Sequence, residues 1–455
     1  MTSSSDLRRA LAAVAVAAFA TSLWASPGRA SYGARTTGDE PHYLLTALSL
    51  AEDGDLDVSD EIAAERYRPF SEVGLDPQSR RLEGGRMVSP HDPLLPLLLA
   101  PGTAIAGWAG AKATLALFAA ATAAAALWLA VRRFGVPLRP ATIVVGLLGA
   151  TPPLSAYGAQ VYPELPAALA TLAGVAAATA RPSRWRPVAL AAAVSALPWL
   201  SVKYAPVAAA LAAVALWAWW RNGERRAAAW LSVLLAVSGV AFVAAHWAWY
   251  GGWTPYAAGD HFVTGELGVV GFDPNPAGRS TRLVGLLVDR EFGLAAWQPA
   301  WLLAVPAVIA AAGRLRRWSF LVLPVVVGWL NATFVALTMH GWWWPGRQVV
   351  VILPLVAIAL AAWAAADARR VAWTAGLALV GVFQWTWLTF EVLLRRLTLV
   401  VDFFETSNPV YRAWSLALPD YRTPSTATWV LHGLWVAAVA AAARWGRRAG
   451  PSTRP

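Results

Sequence analysis

Apolar and polar positions alternate along this chain in long blocks. Runs of Ala, Leu, Val and Trp without charged residues are separated by short breaks rich in Arg. A helix needs about 20 apolar residues to cross a hydrocarbon layer about 30 Å thick, where every backbone polar group must be paired internally. The pattern therefore predicts an all-α polytopic membrane protein with about twelve transmembrane helices. We place these spans near 10–26, 111–131, 141–157, 164–180, 187–201, 205–220, 228–249, 296–312, 319–338, 348–366, 371–390 and 429–443.

One apolar stretch does not fit this series. Residues 93–106 include Pro93, Pro96 and Pro101, and the stretch is too short to cross the membrane. We predict a re-entrant or interfacial helix on the outer side. The chain then divides into four regions: 1–26, the first transmembrane helix; 27–110, a large first outer loop of juxtamembrane and re-entrant helices; 111–390, the transmembrane core with an outer loop at 250–295; and 391–455, an outer segment, the last transmembrane helix and a cytoplasmic tail.

The basic breaks predict the orientation in the cell (inner) membrane. Cytoplasmic loops are enriched in Lys and Arg, and this rule places both termini in the cytoplasm. The outer side then receives the loop 27–92, which holds 13 of the 26 acidic residues. The first apolar run, which follows Arg8 and Arg9, also resembles a cleavable signal peptide with small residues at Ala25 and Ala30; the loop after it is on the outer side in both cases.

Composition agrees with the membrane assignment. Hydrophobic residues make up 58% of the chain and charged residues 14%, whereas soluble domains have about 25% charged residues. The net charge of +11 resides largely in the breaks between apolar runs, so it reports orientation and excludes nucleic acid as a partner. The absence of cysteine excludes disulfides and thiolate metal sites.

Candidate chemistry lies in the outer segments. Asp39 and Glu40 are adjacent carboxylates that follow the first span. A neighbouring like charge and partial burial raise a carboxyl pKa, which suits a general base; the alternative is a helix N-terminus capped by Asp39. The sequence Asp53-Gly-Asp55-Leu-Asp57 resembles a calcium loop but lacks Gly at the sixth position, and a solvated acidic turn is the favoured interpretation.

Further polar residues border the apolar runs. His91 and Asp92 open the predicted re-entrant helix, and Glu164 begins a span; ionisable residues in such positions are costly and usually functional. Lys203 and Arg347 are cations predicted on the outer side, against the charge rule. They suit a lipid phosphate, and the alternative is contact with ordinary lipid headgroups.

These motifs together resemble the GT-C superfamily of membrane glycosyltransferases, especially the branch of protein O-mannosyltransferases and lipid A aminoarabinose transferases. The resemblance covers roughly residues 5–370. Asp39-Glu40 match the acidic pair of that family, and His91-Asp92-Pro93-Leu94 match its second motif, with Asp92 in place of a proline. Lys112, Lys203, and Arg347 with the following Leu353-Pro354-Leu355 match basic positions of the family.

The resemblance implies an inverting glycosyltransferase that uses a polyprenyl-phosphate-linked sugar and needs no metal or other cofactor. Asp39 or Glu40 would be the base, and the donor phosphate or lipid would contact His91, Lys112, Lys203 and Arg347. The substrate cavity would include His42, Tyr43, Asp92, Tyr162, Glu164, Trp343 and Trp344. The acceptor would be a glycan, a lipid or a protein, and membrane lipids would surround the chain.

Two other functions stay open at this point. A transporter or flippase of lipid-linked saccharides also needs cations at the membrane boundary, but it should place polar residues near the midplane. A non-catalytic partner in cell-envelope assembly would use the many tryptophans equally well, because aromatic belts are routine in membrane proteins. The concentration of polar residues in one outer layer favours the enzyme.

Overall fold

The protein is described here by a computed structural model, which covers residues 3–259 and 275–448. Within these ranges the regular structure is helical, and β-structure is limited to isolated bridges. The α-helices are α1 (Ser4–Ala25), α2 (Glu40–Glu52), α3 (Ser59–Ala63), α4 (Leu94–Arg132), α5 (Leu138–Gly149), α6 (Leu154–Tyr157), α7 (Glu164–Ala178), α8 (Arg186–Leu200), α9 (Ala205–Arg221), α10 (Arg225–Tyr250), α11 (Pro276–Arg279), α12 (Arg282–Val288), α13 (Leu294–Trp297), α14 (Ala304–Ala312), α15 (Leu315–Phe334), α16 (Leu353–Ala364), α17 (Ala368–Leu393), α18 (Pro409–Ser415) and α19 (Thr426–Arg448).

The apolar helices reproduce the predicted series of spans. In the described ranges, six helical segments are long and apolar enough to cross a membrane, and six shorter apolar helices accompany them. Each predicted span overlaps one of these segments. The predicted fold class, an all-α polytopic membrane protein, is therefore confirmed.

Prolines explain why several helices are shorter than the apolar runs that predicted them. The run at 141–157 is interrupted because α5 ends at Gly149, ahead of Pro152 and Pro153. The run at 296–312 opens with a 3-10 turn at Pro299–Leu303, and the α-helix begins only at Ala304. A proline supplies no backbone donor and clashes with the preceding turn, so a helix stops before it or starts with it.

Helix α4 contains the break that separates the short apolar stretch from the following span. Ala106 and Gly107 leave helical geometry, and Gly107 has φ 56° and ψ −140°. The backbone of Gly110 then packs on the carbonyl of Gly102, a contact that a continuous helix would not allow across eight residues. The two arms of α4 therefore fold back on each other. That the first arm does not cross the membrane stays a prediction.

The segment 27–92, the predicted outer loop, holds α2 and α3, together with irregular segments linked by isolated β-bridges. Helix α2 packs against α4, and the buried core continues through α1, α5, α7 and α16. Residues 260–274 of the predicted loop 250–295, and 449–455 of the predicted tail, lie outside the described residues.

Candidate functional site

Four charged side chains from distant parts of the chain form one connected network. Arg347 donates from Nη2 to Oδ2 of Asp39 at 2.6 Å and from Nε to Oε1 of Glu164 at 3.1 Å. Lys203 donates to the same Oε1 of Glu164 at 2.7 Å. The Glu164 side chain is fully buried, whereas Asp39 and Lys203 keep 25% and 24% of their side chains exposed. A buried carboxylate thus holds two cations beside a carboxylate that solvent reaches.

Two glycines in the left-handed region bring the ends of this network together. Gly38 precedes Asp39 with φ 56°, and a Cβ there would lie 2.9 Å from the Tyr162 hydroxyl. Gly346 precedes Arg347 with φ 85°, and a Cβ there would lie 2.7 Å from a methyl carbon of Leu294. Both positions need a residue that adopts positive φ and tolerates close approach.

Aromatic rings enclose the Arg347 guanidinium. Its central carbon lies 4.1 Å from the centre of the Tyr162 ring and 4.8 Å from that of Trp343, distances typical of cation–π contacts. Trp344 is fully buried and packs against Trp297 and Trp385. Tyr162 and Trp343 therefore belong to the network, whereas Trp344 belongs to the aromatic core.

The ion pair controls the acidity of Asp39. Burial by itself would raise the pKa of Asp39, but Arg347, with smaller effects from His91 and His42, outweighs it and holds this pKa well below its ordinary value. Asp39 is therefore ionised and paired in this state. A group that draws Arg347 away would raise the pKa of Asp39 and increase its basicity.

Glu40 has a different environment although it is adjacent in sequence. It is fully buried, and its two carboxylate oxygens accept backbone N–H groups from Val161 at 2.8 Å and Thr37 at 3.3 Å. Burial raises the pKa of Glu40 to about 7, against the opposing charge of Lys112. These contacts favour a structural role for Glu40, in which its carboxylate holds the N-terminal end of α2 against the segment that precedes α7.

Lys112, a predicted phosphate ligand, is also buried. Its ammonium donates to the carbonyls of Ser26 at 3.3 Å and Arg35 at 3.1 Å, and its side chain is among the largest fully buried ones. These contacts and the neighbouring charge of Glu40 favour a structural role over contact with a donor phosphate.

The histidines predicted near the acidic pair do gather there. The ring of His91 stacks on Tyr43 with 4.6 Å between centres and lies 6.1 Å from the ring of His42. Nε2 of His91 also lies 3.0 Å from Oε1 of Gln78. Because both histidines influence Asp39 electrostatically, they belong to the surroundings of the ion-pair network.

Asp92 has a partner that the sequence did not identify. Its Oδ1 lies 3.1 Å from Nε2 of His246, and its Oδ2 accepts the backbone N–H of Val202 at 3.1 Å. Both side chains are buried. Nδ1 of His246 donates to the Phe242 carbonyl at 2.8 Å, so a neutral ring has no proton on Nε2. A hydrogen bond between Nε2 and Asp92 therefore needs a second proton, either on the ring or on the carboxyl group. The signal that could have found this pair is the histidine within the apolar run of α10.

Two cavities are lined by residues that neighbour the supports of the network. One, of about 500 Å³, is lined by residues of the outer loop, Pro93 and Trp199, and Trp199 also packs on the His246 ring. The other, of about 250 Å³, is lined by Trp342, His340 and Arg422 among others. Neither lining includes Asp39, Glu164, Lys203 or Arg347, so both cavities border the surroundings of the network and not its charged groups.

The sequence matches no protein-family model and no curated protein. Its fold is similar to the crystal structure of ArnT from Cupriavidus metallidurans bound to undecaprenyl phosphate, with a TM-score of 0.54 and 15% sequence identity. The alignment covers 98% of this chain and 76% of that chain. At this identity the likeness shows a shared fold, and the predicted all-α membrane-protein fold class agrees with it.

Proposed function

We propose that this protein is a membrane glycosyltransferase that moves a sugar from a polyprenyl-phosphate donor to an acceptor hydroxyl on the outer face of the cell membrane. The observation that carries the proposal is the Asp39–Arg347–Glu164–Lys203 network, formed on a fold similar to a protein whose structure contains undecaprenyl phosphate.

Arg347 and Lys203 supply the groups that a lipid phosphate needs. The guanidinium and the ammonium share the buried Glu164 oxygen, which fixes their positions and leaves the pair with one net positive charge. Arginine matches the geometry of phosphate oxygens with paired donors, and lysine adds a mobile point charge. The two cations are therefore suited to the donor phosphate and to the charge that develops when it leaves.

Asp39 is the group best placed to accept the proton of the acceptor. Its carboxylate is partly exposed, whereas both oxygens of Glu40 are occupied by backbone groups. Donor phosphate would compete with Asp39 for Arg347. The pKa of Asp39 would then rise towards its ordinary value, so the base would gain strength when the donor is bound.

The reaction is a single displacement at the anomeric carbon. The acceptor hydroxyl loses its proton to Asp39, its oxygen bonds to that carbon, and the bond from the carbon to the phosphate oxygen breaks. The electron pair of that bond stays on polyprenyl phosphate, next to Arg347 and Lys203. Attack opposite to the leaving group inverts the anomeric configuration. The acceptor is a glycan, a lipid or a protein.

Purified protein in detergent tests the proposal with radiolabelled undecaprenyl-phosphate sugars and with glycan, lipid and protein fractions as acceptors. We expect release of undecaprenyl phosphate together with transfer of label to one fraction, and loss of both with Asp39→Asn. Asp76→Asn, which removes one exposed carboxylate from the same outer loop, is the matched control.

A second assay in sealed vesicles separates catalysis from the alternatives. Movement of the intact sugar–lipid across the membrane without release of undecaprenyl phosphate would replace the enzyme with a transporter. If the protein neither transfers nor moves any sugar–lipid in the panel, and binds none, an assembly role would replace both.

A further inference from the structure

The first outer loop gathers three carboxylates at the end of α2 that is opposite to Asp39. Asp53 is the C-cap of α2, and Asp60 and Glu61 lie in the first turn of α3. Each residue contributes one carboxylate oxygen to a group whose members lie within 4.8 Å of one another. The sequence pattern pointed to Asp53, Asp55 and Asp57, but the fold assembles a different trio.

Asp55 and Asp57 are engaged elsewhere. Oδ1 of Asp55 accepts from the Ser49 hydroxyl and from the backbone N–H of Asp57. Oδ1 of Asp57 accepts the backbone N–H groups of Ser59 and Met87. These two carboxylates therefore shape the turn and hold it in place.

Glu61 carries the evidence that the trio is more than an exposed acidic patch. The residue is only 3% exposed, and its Oε2 has no hydrogen-bond partner among residues 3–259 and 275–448. A buried carboxylate oxygen without a donor is costly, and native proteins rarely keep one without an unseen partner such as an ion or a water.

We propose that Asp53, Asp60 and Glu61 bind one divalent cation, and that this cation is Ca²⁺. Calcium bonds to carboxylate oxygens at about 2.3–2.6 Å, so a single ion reaches oxygens on opposite sides that are about 4.8 Å apart. All the ligands are oxygens, which excludes a preference for soft metals. Two of the three residues are exposed, and water completes the coordination in such open calcium sites.

The ion ties the C-terminal end of α2 to α3. Since α2 begins at Glu40 and spans 13 residues, its length of about 20 Å separates the ion from the Asp39 end. The cation therefore stabilises the outer loop and takes no part in the proposed transfer. Its presence is independent of that function.

Equilibrium dialysis of chelator-treated full-length protein with radioactive Ca²⁺ tests the site. We expect one saturable site per chain, with a dissociation constant on the order of 10⁻⁴–10⁻³ M, as in open extracellular sites. Asp60→Asn and Glu61→Gln should each weaken binding by about tenfold or more, because affinity follows the number of charged ligands. Glu83→Gln, an exposed glutamate of the same loop outside the trio, removes the same charge and should bind normally.

Thermal unfolding gives a second measurement. Calcium should raise the unfolding temperature of the wild type and of Glu83→Gln, but not that of Asp60→Asn. Asp60 is exposed, so Asp60→Asn should fold and can test the site even if Glu61→Gln does not fold. The proposal is overturned if Ca²⁺ shows no saturable binding, if Asp60→Asn binds as tightly as Glu83→Gln, or if sodium chloride of matched ionic strength gives the same shift.

Discussion

Arg347 pairs with Asp39 at 2.6 Å across 308 positions of the chain. The proposed base and the proposed phosphate ligand thus neutralise each other before any donor is present. A donor that takes over Arg347 would free Asp39 in the same event, which makes deprotonation of the acceptor conditional on a filled donor site.

Asp39→Asn should abolish transfer while the protein stays folded and still binds undecaprenyl phosphate. The substitution keeps the size and hydrogen-bonding capacity of the side chain, and Arg347 retains Glu164 as a partner. Loss of a general base lowers rates by about 10²–10⁴-fold. Turnover and donor binding are measured together, because a mere capping role predicts near-normal turnover, since Asn caps a helix about as well as Asp.

Lys203→Gln should weaken the binding of undecaprenyl phosphate by about 10- to 100-fold, the equivalent of one charged hydrogen bond of about 1.5–3 kcal/mol. The amide can still donate to Glu164, and the side chain is partly exposed, so folding should change little. Arg347 is less suitable for this test because its removal takes the ion-pair partner from Asp39 and leaves the buried Glu164 with Lys203 alone. Arg80→Gln, at an exposed position of the outer loop, is the control; equal affinity in the two variants would remove Lys203 from the donor site.

The sequence predicted the spans, because hydrophobic length is a local property; the membrane face of the polar residues stays a prediction. The sequence did not predict pairings. Asp39 and Glu40 are equivalent in the pattern, and only the fold distinguishes them, because Arg347 pairs with Asp39 and the chain before α7 donates to Glu40. His246 stands out in the sequence as a histidine within an apolar run, but the sequence does not indicate its partner, because Asp92 lies 154 positions away. Trp343 contacts Arg347, whereas the adjacent Trp344 lies in the buried core. The loop conformation causes this difference, and no periodicity in the sequence predicts it.

Glu40→Gln should change how stability depends on pH. The pKa of Glu40 in the folded protein, about 7, lies above its ordinary value, so the folded state binds more protons than the unfolded state between about pH 4.5 and 7. The contribution of Glu40 to stability is therefore largest at low pH and falls as pH rises through this window, by roughly 3 kcal/mol. Wild type should lose unfolding temperature relative to Glu40→Gln from pH 5 to pH 8; parallel curves would show that this carboxyl is not perturbed.

Asp92 and His246 should behave as one unit in a double-mutant cycle. Removing either partner of a buried hydrogen-bonded pair leaves the other polar group unsatisfied, at a cost of about 1–3 kcal/mol, and more where that group is charged. Asp92→Asn and His246→Gln should each destabilise strongly, and the double variant should be less unstable than the sum by about 0.5–3 kcal/mol. Asp92 also accepts the backbone N–H of Val202, which precedes Lys203. Asp92→Asn should therefore displace Lys203 and weaken the binding of undecaprenyl phosphate, as Lys203→Gln should. Additive destabilisation with unchanged binding would contradict this positioning role.

A cysteine at Ile105 should be labelled from the outside by a membrane-impermeant maleimide. The chain has no cysteine, so each introduced thiol reports alone. Ile105 is 87% exposed and precedes the break at Ala106 and Gly107; if the first arm of α4 is interfacial, the break lies on the outer side with the acidic loop. Val73→Cys and Ser183→Cys, both at exposed positions, are the predicted outer and inner controls. If Ile105→Cys reacts only after the membrane is permeabilised, as Ser183→Cys should, then the break lies on the inner side, the first arm of α4 crosses the membrane, and the predicted interfacial helix is wrong.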